Sequence, residues 1–178
     1  MNLVPDPMDS FLPESLVRLA QRVVDTNRDA GRRVAVAESC TGGLVSAALT
    51  EIPGSSDVFE SGFITYSTTA KMALLGVNSD VLDTFGSVSI ATAWAMAQGA
   101  LNRSCADVAV AITGVAGPGG GSENKPVGTV VFARAVRGED SGEVVADLKT
   151  FEDNGRAGVR LQAALCALEL LLAPDPAP

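Results

Sequence analysis

A serine that follows the first apolar strand pattern has the surroundings of a nucleophile. It is Ser39, in the stretch AESCTGG (residues 37–43), which lies between a short β-branched run and a short helical pattern. Ligands of open α/β sheets gather beyond the carboxyl ends of strands, and a helix N-terminus there offers N–H groups to an oxyanion. We expect such donors at Thr41, Gly42 and Gly43. A plain turn, with Ser39 and Thr41 as helix caps, stays open as the alternative.

The base that activates such a hydroxyl cannot be histidine, because the 178 residues contain none. Ser-His-Asp and Cys-His catalysis are therefore excluded, and Ser39 lacks the flanking glycines of a G-x-S-x-G elbow. A lysine can act as the base when desolvation lowers its pKa. Lys71 follows a strand pattern in the stretch YSTTAK, which begins with the only tyrosine, Tyr66. A solvated surface lysine stays open as the alternative, and Cys40 is expected to be a small buried residue.

A second glycine-rich stretch, TGVAGPGGG, follows another apolar run. It is longer than a hairpin turn needs, and the backbone N–H groups of such a loop can cradle a phosphate. It matches neither G-x-G-x-x-G nor G-x-x-x-x-G-K-[ST], so a flexible surface loop stays open as the alternative. The candidate ligand-binding residues of this region are Thr113, Gly114, Gly117, Gly119, Gly120 and Lys125.

The elements that position these residues alternate between helices and strands. Helical patterns cover residues 16–30, 42–50, 68–75, 80–84, 89–101 and 157–172, and strand patterns cover residues 33–37, 58–66, 107–113, 127–136 and 143–151. Continuous apolar strands are typical of sheets that are covered on both faces. We therefore predict an α/β fold, a three-layer α/β/α sandwich around a mixed, mostly buried sheet.

The chain is expected to form a single domain over residues 15–172, since no linker, repeat or low-complexity block interrupts it. Residues 1–14 are expected to be a flexible N-terminal arm, and residues 173–178 a frayed, proline-rich tail. No signal-peptide pattern and no apolar run of about 18 residues occur, so we expect a cytoplasmic protein without membrane contact.

The charge and the cysteines exclude other classes of partner. Against 13 Lys+Arg stand 21 Asp+Glu, a net charge of −8, which argues against nucleic-acid binding because that relies on basic residues that neutralise phosphates. Three cysteines without a C-x-x-C pair predict neither a zinc site nor a disulfide framework. They fit a reducing compartment.

Four stretches of the chain, taken together, resemble one known family. They are AESCTGG, GSSDVFESGFITYSTTAK, GVNSDVLDTFGSVS and AITGVAGPGGGSENKPVGTV. From about Leu16 to Leu172 the sequence resembles the CinA C-terminal domain family, whose characterised members are nicotinamide-nucleotide amidases. The resemblance implies hydrolysis of nicotinamide mononucleotide to nicotinate mononucleotide and ammonia, without a metal or cofactor. It also implies a homo-oligomer, with a dimer as the expected state. From the length, we expect the further N-terminal domain of many relatives to be absent here.

The resemblance also implies a set of catalytic residues. The family's serine–lysine pair and its assisting tyrosine fall on Ser39, Lys71 and Tyr66. Neutral Lys71 would take the proton of Ser39, and Tyr66 would orient Lys71 or relay its proton. Ser39 would then attack the carboxamide carbon and form an acyl-enzyme, which water hydrolyses.

Substrate-binding residues are implied in the same way. The family's threonine or serine before the second glycine loop matches Thr113, and its late pattern G-D-R-x-x-[IV]-R matches Arg156, with Arg160 as the following arginine. Asn154 and Gly155 replace the usual Gly-Asp, so either arginine could meet the substrate phosphate, with the glycine loop and Lys125 as further donors.

Two other functions stay open at this point. One is a non-catalytic nucleotide-binding or regulatory module linked to competence or DNA damage. The other is an amidase that acts on a related carboxamide such as nicotinamide riboside. Dependence of turnover on the substrate phosphate would distinguish the two enzyme hypotheses.

Overall fold

A mixed sheet of five strands forms the centre of the structure, a computed structural model that describes residues 10–139, 145–152 and 154–174. The strands are β1 (Val34–Glu38), β2 (Phe59–Ile64), β3 (Val108–Gly114), β4 (Thr129–Val136) and β5 (Val145–Thr150). Their order is β2-β1-β3-β4-β5. β1 is parallel to β2 and β3, whereas β4 and β5 are each antiparallel to the preceding strand. The predicted mixed sheet is confirmed.

Six α-helices of the described residues cover the two faces of this sheet. They are α1 (Glu14–Asp29), α2 (Leu44–Thr50), α3 (Thr68–Leu75), α4 (Ser79–Phe85), α5 (Ile90–Asn102) and α6 (Gly155–Leu171). α1, α2 and α6 pack on one face, and α3, α4 and α5 pack on the other. The three-layer α/β/α prediction is therefore confirmed. In the described part of the chain, no helix combines the length and the apolar character that a membrane span requires.

The two central strands separate large from small side chains. Side chains alternate between the faces of a strand, and β1 and β3 alternate valine with alanine. The valines and an isoleucine of these strands face α1 and α6, and the alanines face the alanine-rich α5. Because alanine side chains are short, α5 lies close to the sheet.

Helix α3 also approaches α5 closely, at a glycine. A Cβ atom built on Gly99 of α5 would lie 2.1 Å from the carbonyl oxygen of Leu75 in α3. No larger residue fits between the two backbones, so the position of α3 on α5 is fixed at this point.

The ends of the elements differ from the predicted ends where glycines adopt positive φ. α2 begins at Leu44 rather than at residue 42, because Gly42 and Gly43 have φ of 59° and 93°. Similarly, β4 begins after Gly128, whose φ is 95°. The predicted arm and tail fall largely on residues 1–9 and 175–178, and the start of the last predicted strand falls on 143–144; these lie outside the described residues.

Candidate active site

A cavity of about 480 Å³ lies beyond the carboxyl ends of β1 and β3. Pockets of roughly 300–1,000 Å³ commonly hold small ligands. The loops after β1, β2 and β3, the segment before α5 and the start of α6 line the cavity, with the residues Ser39, Cys40, Tyr66, Ser67, Thr68, Lys71, Ser87, Val88, Thr113, Gly114, Val115, Ala116, Gly117, Gly119, Gly120 and Arg156. Lys71 and Arg156 are the charged residues of this described lining, which contains no carboxylate. The cavity therefore favours an anionic ligand, although the net charge of the chain is −8.

The predicted nucleophile and base lie together inside this cavity. Lys71 Nζ is 3.0 Å from Ser39 Oγ and donates a hydrogen bond to the Thr65 carbonyl oxygen at 2.8 Å. Lys71 is 1% exposed and Ser39 is 7% exposed. The alternative of a solvated surface lysine is therefore excluded.

The local sequence explains how a lysine becomes buried on α3. Ser67 caps the helix, because its Oγ accepts a hydrogen bond from the Ala70 N–H. The helix then turns Lys71 inward and leaves Met72 and Leu74 more than 40% exposed. A buried lysine beside exposed apolar residues opposes ordinary amphipathic patterning, and such departures are typical of functional sites.

Burial also changes the proton affinity of this lysine. Desolvation lowers the pKa of Lys71 from its ordinary value of 10.5, and the nearby Cys40 acts in the opposite direction. A neutral amine can donate one hydrogen bond to the Thr65 carbonyl and still accept the proton of Ser39. The arrangement is therefore that of a nucleophile with an adjacent base.

The predicted oxyanion donors need a correction at two of three positions. The Gly42 N–H donates to the Ser39 carbonyl oxygen at 3.0 Å, and the Gly43 N–H donates to a Glu38 carboxylate oxygen at 3.0 Å. Neither group is available to a ligand. Among the described residues, no oxygen accepts a hydrogen bond from the N–H of Cys40 or Thr41. Thr41 thus stays a candidate donor, and Cys40, which lines the cavity, joins it.

The buried carboxylate of Glu38 is a residue whose role the sequence did not indicate. Glu38 is 0% exposed. Its oxygens accept hydrogen bonds from the N–H groups of Gly43, Val45 and Ser46 at 2.9–3.2 Å and from the Ser46 hydroxyl at 2.7 Å. A negative charge is stable at a helix N-terminus, so Glu38 fixes the start of α2 directly behind Ser39. Its adjacency to Ser39 was visible in the sequence, but its backbone partners were not.

Cys40 is not equipped to replace Ser39 as the nucleophile. Burial raises the pKa of the Cys40 thiol to about 11, while the backbone N–H groups of Cys40 and Thr41 act in the opposite direction. The thiolate is the reactive form of cysteine, so this thiol is unreactive near neutral pH. Cys40 packs in the apolar core on the face of the sheet that α1, α2 and α6 cover, so the prediction of a small buried residue is confirmed.

Tyr66 and Arg156 meet at the mouth of the cavity. Arg156 Nη2 donates to the Tyr66 hydroxyl at 2.6 Å, and its Nη1 donates to the Gly117 carbonyl oxygen at 2.8 Å. Tyr66 is 59% exposed. The expected contact of Tyr66 with Lys71 is absent from the described hydrogen bonds, so the structure joins Tyr66 to Arg156 instead.

Two predicted substrate-binding residues lie outside the cavity lining. Arg160, one helical turn after Arg156, donates to the Thr41 carbonyl oxygen at 2.8 Å. Lys125 donates to the Phe85 carbonyl oxygen at 3.1 Å, at the end of α4. Each of the two side chains holds a loop of the protein in this structure, and their assignment as substrate contacts stays a prediction.

The residues of the glycine-rich stretch form one wall of the cavity. The buried Thr113 hydroxyl donates to the Ser87 carbonyl oxygen at 2.8 Å, which fixes the adjacent segment of the wall. Gly114 is packed tightly, since a Cβ atom there would lie 2.7 Å from the Thr129 carbonyl oxygen. Gly117, Gly119 and Gly120 follow along the wall, so the loop forms part of the site.

Comparison with known proteins places this chain in a family. A model of the CinA C-terminal domain matches residues 16–174. The protein named nicotinamide-nucleotide amidohydrolase PncC from Enterobacter agglomerans is 50% identical over 139 residues, which are 78% of this chain and 82% of that protein. A putative competence-damage inducible protein from Symbiobacterium thermophilum is 47% identical over 168 residues, which are 92% of this chain and 38% of that protein. The chain thus spans little more than a third of that longer relative.

Solved structures agree with this placement. The crystal structure of competence/damage inducible protein CihA from Agrobacterium tumefaciens has a TM-score of 0.86 at 48% identity and covers 91% of this chain and 96% of its own. A CinA superfamily protein from Escherichia coli has a TM-score of 0.82 at 32% identity and covers 97% of this chain and 98% of its own. The chain belongs to the CinA C-terminal domain family.

Proposed function

We propose that this protein hydrolyses the carboxamide of nicotinamide mononucleotide to nicotinate mononucleotide and ammonia. The observation that carries the proposal is the pair of Ser39 Oγ and the desolvated Lys71 amine, 3.0 Å apart at a cavity that the Arg156 guanidinium also lines. The relative named nicotinamide-nucleotide amidohydrolase supports the choice of substrate.

The reaction follows from the positions of these groups. Neutral Lys71 takes the proton of Ser39, and Ser39 Oγ forms a bond to the carboxamide carbon. The carboxamide oxygen gains the negative charge, which the N–H groups of Cys40 and Thr41 stabilise. When the C–N bond breaks, the Lys71 ammonium returns the proton and ammonia leaves. Water then attacks the acyl-enzyme ester with Lys71 as base, releasing nicotinate mononucleotide and restoring Ser39.

Arg156 is the residue we assign to the substrate phosphate. It lines the cavity, and none of the described carboxylates forms an ion pair with it. A guanidinium can bind a phosphate with two parallel hydrogen bonds. Tyr66, which accepts a hydrogen bond from Arg156, positions that guanidinium. The N–H groups of the glycine loop supply the remaining donors.

The test measures ammonia and nicotinate mononucleotide formed by the purified protein, with and without a chelator. Ser39→Ala and Lys71→Met are expected to lower kcat by about 10⁴-fold or more, while the chelator leaves it unchanged. Lys149→Met is the matched control, because Lys149 lies outside the cavity, and this variant should retain full activity. Arg156→Ala is expected to raise KM for the nucleotide and to leave nicotinamide riboside turnover unchanged.

Other results would redirect the assignment. If the folded protein hydrolyses nicotinamide riboside and the nucleotide with equal kcat/KM, the assignment of a phosphate subsite to Arg156 is wrong. If it binds the nucleotide in calorimetry but releases no ammonia, the non-catalytic nucleotide-binding module replaces the amidase. The expected dimer and the cytoplasmic location stay predictions.

A further inference from the structure

Arg160 holds the loop that carries the nucleophile. It is half-buried, lies on α6 and donates a hydrogen bond to the Thr41 carbonyl oxygen at 2.8 Å. The same Nη2 atom would lie 3.5 Å from a Cβ built on Gly42, so the guanidinium packs directly against this loop. Unlike Arg156, it does not line the cavity.

The loop that Arg160 contacts is a four-residue turn. The Gly42 N–H donates to the Ser39 carbonyl oxygen, the bond from residue i+3 to residue i that closes a β-turn. Cys40 and Thr41 are its two central residues, and a β-turn leaves their N–H groups without a partner inside the turn. The N–H group that follows a catalytic serine is a common oxyanion donor.

Two side chains fix this turn from opposite sides. Glu38 accepts the Gly43 N–H just after the turn, and Arg160 donates to the carbonyl of Thr41 inside it. The Ser39 N–H is bound to the Ile112 carbonyl oxygen of β3 at 2.9 Å. The turn is therefore held at its start, at its centre and after its end. Among the described oxygens none accepts a hydrogen bond from its two central N–H groups, which lie beside the Cys40 sulfur, a weak acceptor.

We propose that Arg160 is a positioning residue, which keeps the N–H groups of Cys40 and Thr41 directed at the developing oxyanion and does not contact the substrate. This inference rests on the proposed role of Ser39 as nucleophile. It requires that loss of Arg160 slows every attack by Ser39, whether or not the reagent carries a phosphate. Loss of a phosphate contact would instead affect only substrates that carry one.

Diisopropyl fluorophosphate separates these two roles, because it is a neutral reagent for activated serines. Ser39 Oγ forms a bond to phosphorus, the P–F bond breaks, fluoride leaves with the electron pair, and Lys71 holds the serine proton. Negative charge develops on the phosphoryl oxygen, as it would on a carboxamide oxygen. The rate of adduct formation is measured by intact-protein mass spectrometry for the wild type, Arg160→Met, Arg160→Lys, Arg156→Met and Arg137→Met.

Arg160→Met is expected to slow adduct formation by about 10- to 100-fold, since direct loss of one oxyanion donor costs about 10²–10³-fold. Arg160→Lys, which keeps one donor for the Thr41 carbonyl, is expected to recover part of that rate. Arg156→Met should slow the reaction less than Arg160→Met does, and Arg137→Met should react at the wild-type rate. Arg137→Met is the matched control, because Arg137 also donates to backbone carbonyls, those of Leu101, Ser104 and Ala106. With nicotinamide mononucleotide, Arg160→Met should lower kcat and leave KM within about twofold.

Different results would contradict the positioning role of Arg160 and the nucleophilic role of Ser39. Wild-type adduct rates in Arg160→Met, or a KM raised as strongly as in Arg156→Ala, would overturn the positioning role. If Arg160→Met does not fold by circular dichroism, Arg160→Lys decides the question, and a full adduct rate with a raised KM overturns the inference. A wild-type protein that forms no adduct overturns the nucleophilic role of Ser39 itself, and the inference with it.

Discussion

Replacement of Glu38 by glutamine is expected to cost far more stability than a glutamate-to-glutamine change usually does. The side chain is fully buried and its two oxygens accept four hydrogen bonds, two on each oxygen. A carboxamide has the same shape but one oxygen acceptor and one NH₂ donor. In either orientation the NH₂ group therefore faces at least one backbone N–H that it cannot bind.

The size of the loss follows from this count. With the NH₂ group toward Ser46, the Ser46 hydroxyl can rotate and accept, so one backbone N–H is orphaned at a cost of about 1–3 kcal/mol. The other bonds change from charge-assisted, about 1.5–3 kcal/mol each, to neutral, about 0.5–1.5 kcal/mol each. The favourable interaction of the charge with the start of α2 is lost as well. We expect a destabilisation of about 3–5 kcal/mol.

Urea denaturation followed by circular dichroism measures this change. Glu14→Gln is the matched control, because Glu14 is also a glutamate at the start of a helix, in the first turn of α1, but its side chain is 53% exposed. The control should lose about 1 kcal/mol or less, as exposed ion pairs do. A loss for Glu38→Gln no larger than the control would refute the reasoning that this carboxylate anchors α2.

Three further outcomes are expected from the same site. Because burial lowers the pKa of Lys71 and the neutral amine is the active base, kcat/KM should rise with pH through an apparent pKa below 10.5; a flat pH–rate profile would contradict this. Because burial raises the pKa of Cys40 to about 11, iodoacetamide at about pH 8 should alkylate the exposed Cys105 and spare Cys40, which peptide mass spectrometry checks. Gly114→Ala should destabilise the protein by about 1–3 kcal/mol, because its Cβ would lie 2.7 Å from a backbone oxygen. Gly119→Ala is the control and should have little effect, because the space around Gly119 is open. Urea denaturation measures both changes.

The sequence was informative where a side chain's role depends on its own type and its position along the chain. The short, continuous apolar runs predicted the buried strands, and AESCTGG placed Ser39 at the end of one of them. Lys71 became a candidate base because the chain has no histidine and because it follows a strand pattern, and the family pattern then favoured it over a solvated surface lysine. An isolated lysine on a short helix is usually solvated, and only the packing of α3 on α5 shows that this one is buried.

The sequence was less informative where the partner is a backbone group. Glu38 was adjacent to the candidate nucleophile, but its N–H partners come together only after Gly42 and Gly43 turn the chain into α2. The two late arginines share one face of α6, four residues apart. One helical turn of separation is enough to place Arg156 at the cavity and Arg160 at the Thr41 carbonyl.

The alanine-lined face of the sheet works as a spacer of fixed thickness. Ser39 is attached to the sheet, whereas Lys71 is attached to the helical layer, so the distance between them is set by how far apart the two layers stand. Ala109 and Ala111 allow α5 to pack close to the sheet, and Gly99 allows α3 to pack close to α5. An added methyl group in either contact is expected to increase the distance between the lysine and the serine. Substitutions along this face therefore change the geometry of the proposed serine–lysine pair as well as the packing.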